Sequence, residues 1–234
     1  MHYVAIERSF SFNSNHTFFI ANYPFYIINM PTYFTPETFR FFNELKDNNN
    51  KEWFDVHKPI YDQHVYQPIK DLVSLLSPAM HGIDPEFELR PHRAVSRIYR
   101  DTRFSKDKTP YKTCMWLTFQ KPVSREDWTG IPAYFLEISA DGYMLGMGLY
   151  MPKKNTMDAF REEISYIPDE FREHAEKDVF ANGFEVMGEQ YKRPIPSDLD
   201  DSFQTWIQRK SVYVAKTIPF NEEEMCSPDF YKQV

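Results

Sequence analysis

A densely charged run between residues 97 and 112 holds the side chains of this chain that are best suited to chemistry. From Arg90 to Lys112 the sequence has eight Lys or Arg residues and two Asp residues, a local charge of +6. The whole chain carries −7, so the remainder carries −13. An anionic ligand is one reason for gathering cations so tightly on an acidic protein, because local field rather than net charge attracts a ligand.

The first interpretation of this run is an anion site. Arginine offers a planar fork suited to phosphate or carboxylate, lysine adds a point charge, and hydroxyl groups complete the hydrogen bonding. The sequence has no glycine from Asp101 to Lys112, so a backbone cradle of the P-loop kind is disfavoured and side chains must do the binding. The candidate ligand-binding residues are Arg97, Arg100, Arg103, Ser105, Lys106, Lys108, Tyr111 and Lys112.

The second interpretation is a purely structural network of ion pairs within a protein-interaction module. Arg97 shares a face with Val95 and Tyr99 in an alternating pattern, so it is a candidate for burial, where it would need a carboxylate partner. Structural networks and functional sites look alike from sequence, and both interpretations stay open. The structural or acid–base partners available are Asp101, Asp107 and Glu137.

The third interpretation is a metal-dependent phosphoesterase or nuclease. Carboxylates beside a bound phosphate could hold Mg²⁺ through oxygen ligands or act as acid and base. Carboxylates beside arginines are more often ion-paired, and the sequence has no Cys/His cluster with zinc spacing. We therefore expect no metal site and no cofactor, and the sequence leaves open whether the chain is an enzyme. The carboxylates in question are Asp101, Asp107, Glu137 and Asp141.

Composition bounds the class of protein. At 234 residues the chain suits one domain, and 42% hydrophobic with 17% aromatic residues supply ample material for a core. The net charge of −7 argues against a general nucleic-acid-binding protein, whose usual footprint is a basic domain. Cys114 and Cys226 do not form a disulfide framework, which fits a cytoplasmic location.

The first 29 residues differ from the rest of the chain. Their apolar stretch, Phe18–Ile28, is interrupted by Asn22 and Pro24 and is shorter than the roughly 20 residues that a membrane span requires. We therefore expect no membrane association. We interpret residues 1–29 as a poorly ordered appendage, with a weak export signal as the alternative, and residues 30–234 as a single α+β domain.

Helices are predicted before the charged run. Thr35 can cap a helix that has Pro36 at its first position, and Asn50 can cap a second helix. A longer apolar pattern of helical spacing follows Pro59, and Pro68 inside it predicts a kink or a break. These segments predict an N-terminal helical layer.

Strands are predicted on both sides of the charged run. Residues 95–100 have the alternation of a short strand, and Thr113–Phe119 form a better one. The Asp141–Gly142 pair between apolar runs predicts a hairpin, and Gly146 and Gly148 indicate a bend or a close approach to the backbone. The predicted fold class is α+β: the helical layer packs on a mostly antiparallel sheet, and further helices follow the central hairpin.

Several motifs of the chain match a known family. They are Asn49, Lys51–Phe54, Arg97–Lys112 and Leu149–Pro152, with weaker matches at Lys192–Pro194 and Lys210–Ser211. Through them the chain resembles the domain of unknown function 2461, a conserved hypothetical protein family, over about Thr32 to Val234. The resemblance implies an α+β fold and no established activity, so no catalytic residue is carried over. Relative to that family, residues 1–29 are extra and the C-terminal helix is cut short.

The candidate partners follow from these interpretations. An anion site would take a phosphate-bearing small molecule or a nucleic-acid backbone. An interaction module would instead dock a protein partner on aromatic surfaces around Trp53, Trp128 and Tyr150, and would expose a large apolar patch.

Overall fold

The structure is a computed structural model that describes residues 33–124 and 130–234. The predicted appendage, residues 1–29, lies outside the described residues, and so does Trp128. None of the described helices has both the length and the apolar character of a membrane span. The elements are α1 (Pro36–Asp47), α2 (Lys51–Tyr61), α3 (Gln67–Ile83), α4 (Pro91–Ala94), β1 (Cys114–Phe119), β2 (Ala133–Ser139), β3 (Gly142–Leu149), α5 (Lys154–Tyr166), α6 (Pro168–His174), β4 (Glu185–Met187), α7 (Gln204–Ile207), β5 (Val212–Pro219) and α8 (Glu222–Met225).

Three consecutive asparagines separate α1 from α2, and each bonds a different partner. The Asn48 side chain donates to the carbonyl of Glu44 at 2.9 Å and closes α1. The Asn50 side chain accepts from the N–H of Trp53 at 2.9 Å and caps α2, as predicted. Asn49 bonds the charged run, so this turn links the helical layer to the candidate site.

Pro68 produces a change of helical register rather than a break. A π-helical turn, Asp62–Tyr66, joins α2 to α3 directly before this proline. Proline has no N–H, so the carbonyl of His64, four residues earlier, loses its helical donor. The hydroxyl of Thr38 in α1 donates to that carbonyl at 2.6 Å, and Thr38 is fully buried. The predicted irregularity is therefore stabilised from the neighbouring helix.

The sheet has the strand order β1-β2-β3-β5-β4, and each neighbouring pair is antiparallel. Ser139 pairs with Gly142, so the predicted hairpin turns at Ala140 and Asp141, one residue earlier than the Asp-Gly pair suggested. Gly142 begins β3 with φ of 133°, a conformation that favours glycine.

The strand β5 makes the close approach that the glycines of β3 predicted. A Cβ atom on Gly146 would lie 2.2 Å from the carbonyl oxygen of Val214. A Cβ atom on Gly148 would lie 2.3 Å from the Cα of Tyr213. Any larger residue at either position would push β3 and β5 apart.

Both hydrophobic clusters of the described residues take their strand side chains from one face of the sheet. The first cluster joins α1, α2 and α3 to β1, β2 and β3, and the second joins α5 and α7 to β3 and β5. This arrangement confirms the predicted α+β class, with a helical layer on an antiparallel sheet. The buried strand residues of the two clusters are Met115, Leu117, Phe119, Leu136, Ile138, Tyr143, Leu149 and Val212.

Buried guanidinium groups hold the segment between α7 and β5. Arg209 is only 8% exposed and donates to three backbone carbonyl groups. Arg161 of α5 donates to two further carbonyls of the same segment. Burial lowers the pKa of Arg209, and the carbonyls satisfy its donors. This arginine is structural.

The bond between Thr38 and His64 predicts the effect of a near-isosteric substitution. Thr38→Val removes the hydroxyl and leaves a buried carbonyl without a donor, so we expect a loss of about 1–3 kcal/mol in the free energy of unfolding. Urea denaturation of the natural protein and of Thr38→Val measures this loss.

Ser74→Ala is the matched control, because it removes an exposed helix hydroxyl that donates to the Lys70 carbonyl. The cost of Thr38→Val should shrink in a Pro68→Ala background, where residue 68 regains an N–H for the same carbonyl. An undiminished cost in that background would contradict the assignment.

Candidate functional site

The charged run leaves and re-enters the sheet region through two isolated bridges. Val95 pairs with Leu117, and Tyr99 pairs with Tyr111. These bridges replace the strand predicted for residues 95–100, and residues 101–110 between them form no helix or strand. The run is therefore a loop whose two ends are pinned together.

Arg97 is exposed, so the expectation of a buried arginine with a carboxylate partner is wrong. The inward residues of this segment are Val95 and Ile98, which are three positions apart because the segment is not a regular strand. Within residues 33–124 and 130–234, Arg97 forms no hydrogen bond and no ion pair.

Arg100 lies at the centre of a closed set of hydrogen bonds. It forms an ion pair with Asp107 and donates to the hydroxyl of Thr109 at 2.5 Å. Asp107 accepts from the N–H and the hydroxyl of Thr109, both at 2.9 Å. The bonds from Thr109 and Arg100 lower the pKa of Asp107 to about 2. This part of the loop is a structural network.

Arg103 and Lys108 are also engaged inside the loop. Arg103 donates to both carboxylate oxygens of Asp101, at 2.9 and 2.6 Å. These bonds lower the pKa of Asp101 to about 2. Lys108 donates to the carbonyl of Thr102 at 2.8 Å. Both cations are exposed, so the pairs shape the loop while contributing little stability.

Three other candidate residues have different environments. The N–H of Ser105 donates to the carbonyl of Thr102 at 3.4 Å. Lys106 is exposed and, in the described part of the chain, has no ion pair. Tyr111 is 3% exposed, and its ring stacks on Phe54 with centroids 4.1 Å apart. Tyr111 belongs to the core.

The Asn49 side chain fixes the returning end of the loop. Its amide group donates to the carbonyl of Tyr111 at 3.0 Å, and its oxygen accepts from the N–H of Tyr111 at 3.0 Å. The amide thus imitates a neighbouring strand, with one donor and one acceptor to one residue. This pair sets the position of Lys112, the next residue.

A cavity of about 440 Å³ opens beside the loop. Three cations and one carboxylate are among its lining residues. Lys46 is paired with Asp141 at 2.8 Å, and Arg100 is paired with Asp107. Lys112, the third cation, has no ion pair among the described residues.

Lys112 is the half-buried cation of this site. Burial, the largest effect, lowers the pKa of its ammonium group and outweighs Cys114, which raises it; the nearby charge of Arg97 lowers the pKa as well. Both lowering effects disfavour the charged form of an isolated lysine. An anion next to the ammonium would offset them.

Glu137 contacts a thiol rather than a cation of the loop. It pairs across the sheet with Trp116, and the thiol of Cys114 is hydrogen-bonded to its carboxylate. Burial raises the pKa of Glu137 and raises the pKa of Cys114 to about 11. The described residues hold no ion pair of Glu137, so its predicted partnership with an arginine is absent there.

A second cavity, of about 370 Å³, lies on the sheet face that carries no hydrophobic cluster of the described residues. Four of its eleven lining residues are aromatic, namely Trp116, Phe135, Tyr150 and Tyr213, and Lys112 also lines it. Sequence reasoning missed this groove. Alternation in β1 and β2 could have placed Trp116 and Phe135 on one face, but nothing local predicts that β5 brings Tyr213 beside them.

The carboxylates proposed for metal chemistry are separated. Asp101 and Asp107 bind different arginines. Across the described ranges, no group of three or more His, Cys, Asp or Glu side chains is arranged to hold a metal ion. The metal-dependent alternative has no ligand set in this part of the molecule.

Comparison with models of known protein families shows which family this chain belongs to. A family model described as conserved hypothetical protein (DUF2461) matches residues 37–234, most of the chain. The chain belongs to the DUF2461 family. The match confirms the resemblance seen in the loop and hairpin motifs, and in this DUF2461 chain it includes the residues lining both cavities. A search of the curated proteins found no match.

The pair between Asn49 and Tyr111 predicts a specific loss of stability. Asn49→Ala removes a donor and an acceptor from partly buried backbone groups, so we expect a loss of about 1–3 kcal/mol in the free energy of unfolding. The amide of Tyr111 should also exchange faster with solvent. Denaturation and hydrogen exchange measure the two effects. Asn48→Ala, next in the chain but exposed, should cost less and leave that amide protected; equal effects would refute the assignment.

The environment of Glu137 predicts a pH-dependent stability. Its folded pKa is raised, so the folded state binds the proton more tightly, and stability should fall as pH rises from the unfolded to the folded pKa. The glutamine of Glu137→Gln cannot titrate. As pH rises from the unfolded to the folded pKa of Glu137, the free energy of unfolding of this variant should therefore increase relative to that of the natural protein. Denaturation at several pH values tests this. Glu163→Gln, at an exposed position of α5, is the control. A pH-independent difference for Glu137→Gln would contradict the assignment.

Proposed function

We propose that this protein binds a small anion of the phosphate or carboxylate type at Lys112, in the cavity beside the loop. The observation that carries this proposal is the environment of Lys112. It is half-buried, it has no anionic partner among the described residues, and it lines a cavity with two other cations. A buried charge without a partner is costly, so a bound anion is the simplest way to compensate it.

Arg97 is the second cation that we assign to the anion. It is unpaired within the described residues, and it lies close enough to Lys112 to lower the pKa of that lysine. A guanidinium group beside an ammonium group can hold two oxygens of one phosphate or carboxylate. Arg97 does not itself line the cavity, but it and Lys112 differ from the paired Arg100 and Arg103 in having no carboxylate partner among the described residues.

In this proposal the structural network of the loop supports the anion site. The ion pairs of Arg100 with Asp107 and of Arg103 with Asp101 set the shape of the loop. Two paired cations, Arg100 and Lys46, remain at the wall of the cavity and add to its positive field. In this proposal the ion pairs within the loop act as a scaffold, and Arg97 and Lys112 bind the anion.

A cytoplasmic location is part of the same proposal. Cys114 and Cys226 are both free thiols, which fits a reducing compartment. Burial also raises the pKa of each thiol to about 11, so both stay protonated and unreactive near neutral pH.

The anion proposal predicts a selective effect of Lys112→Met on the binding of inorganic phosphate. Removing a charged donor from a half-buried site should weaken binding at least about tenfold. Amide NMR shifts during a phosphate titration measure the affinity and show where the ion lies. In the natural protein, the Nζ resonance of Lys112 should also report a higher pKa when phosphate is bound.

A variant of the same loop serves as the control. Lys106→Met removes an exposed lysine that has no ion pair among the described residues. It should keep phosphate affinity within about twofold, as expected for a screened surface charge. Unchanged affinity in Lys112→Met, or an equal loss in Lys106→Met, would end the proposal.

A further inference from the structure

The second face of the sheet offers an aromatic surface next to the anion site. Side chains alternate along the strands, so Trp116 of β1, Phe135 of β2 and Tyr213 of β5 point away from the buried face. All three are partly buried. The residues that line the groove come from strands and loops, and none comes from a described helix.

Gly148 of β3 gives the groove part of its floor. It lines the groove between Ala133 of β2 and Tyr213 of β5. The ring of Phe135 covers Gly146, since a Cβ atom there would lie 2.8 Å from its Cζ atom. Without a side chain on Gly148, the floor of the groove is lower at that point than the aromatic rings around it.

Lys112 connects the two cavities. It lines the cationic cavity beside the loop and also lines the aromatic groove. An anion held by Lys112 would therefore have a flat apolar surface on one side. Such a combination of an apolar groove and a few convergent polar groups is typical of a site for a small organic ligand.

We infer that the anionic group bound at Lys112 belongs to a small molecule whose flat, largely apolar ring system lies in the groove against Trp116 and Tyr213. The inference rests on the proposed anion site and adds the class of ligand: an aromatic or heteroaromatic phosphate or carboxylate. The groove volume of about 370 Å³ suits a small ring system of this kind.

Two physical effects favour such a ligand over a free inorganic anion. Rings that stack with an offset, or pack edge to face, against Trp and Tyr gain free energy beyond the area that they bury. A ring in the groove also excludes water from the side of Lys112, which strengthens the attraction between the ammonium and the anion.

The test uses three probes that separate ring from charge. They are 1-naphthyl phosphate, with both groups, inorganic phosphate, with the charge alone, and 1-naphthol, with the ring alone. Each is titrated into the full chain and followed by NMR and calorimetry. We expect 1-naphthyl phosphate to bind about tenfold more tightly than inorganic phosphate, and 1-naphthol to bind more weakly than the ester.

Variants place the two parts of the ligand. Trp116→Leu and Tyr213→Leu should remove most of the advantage of 1-naphthyl phosphate and leave inorganic phosphate unaffected. Lys112→Met should weaken both phosphates. Phe104→Leu is the matched aromatic control, because Phe104 is 94% exposed and lines neither cavity.

The outcomes distinguish this inference from the anion site itself. Equal affinity for 1-naphthyl phosphate and inorganic phosphate, both lost in Lys112→Met, would overturn the ring assignment and leave the anion site standing. A ring advantage that survives in both Trp116→Leu and Tyr213→Leu would also overturn it. If 1-naphthol binds as well as the ester and Lys112→Met changes nothing, both proposals fail.

Discussion

One-sided burial of the sheet is the constraint on which the rest of the described structure depends. Antiparallel strands send alternate side chains to opposite faces, and the helices of both hydrophobic clusters pack on the same face. That choice concentrates aliphatic and aromatic side chains on the packed face. It leaves Trp116, Phe135 and Tyr213 on the other, partly exposed. The aromatic groove and the half-buried position of Lys112 both follow from this asymmetry.

The charged loop is held by two kinds of contact. At its returning end, Asn49 bonds both backbone groups of Tyr111, whose ring stacks on Phe54 of α2. Along its length, Arg100 and Arg103 neutralise the two aspartates. Both aspartates of the loop are therefore paired within the loop and help to set its shape. Its surplus of positive charge is left at Arg97, Lys106 and Lys112, which form no ion pair among the described residues, and at Lys108, which bonds a carbonyl.

Sequence reasoning reached the fold class because its signals were local. Caps at Thr35 and Asn50, alternation in β1 and the glycine after the hairpin turn each depend on neighbouring residues. The site was harder. Alternation placed Arg97 in phase with Val95 and Tyr99, but irregular backbone turned Ile98 inward instead. The groove needs the pairing of β5 with β3, a contact between residues far apart in sequence, which no local pattern specifies.

The pinned end of the loop has a consequence for changes in its length. The bridge between Tyr99 and Tyr111, together with the Asn49 amide, fixes the phase of the chain entering β1. Residues added at the tip, between Phe104 and Ser105, would be absorbed before that point and leave Lys112 where it is. A residue added after Tyr111 would instead fall between the Asn49 bonds and the start of β1 at Cys114, and would change the spacing of Tyr111 from that strand. The tip is therefore the more suitable place to insert a peptide tag.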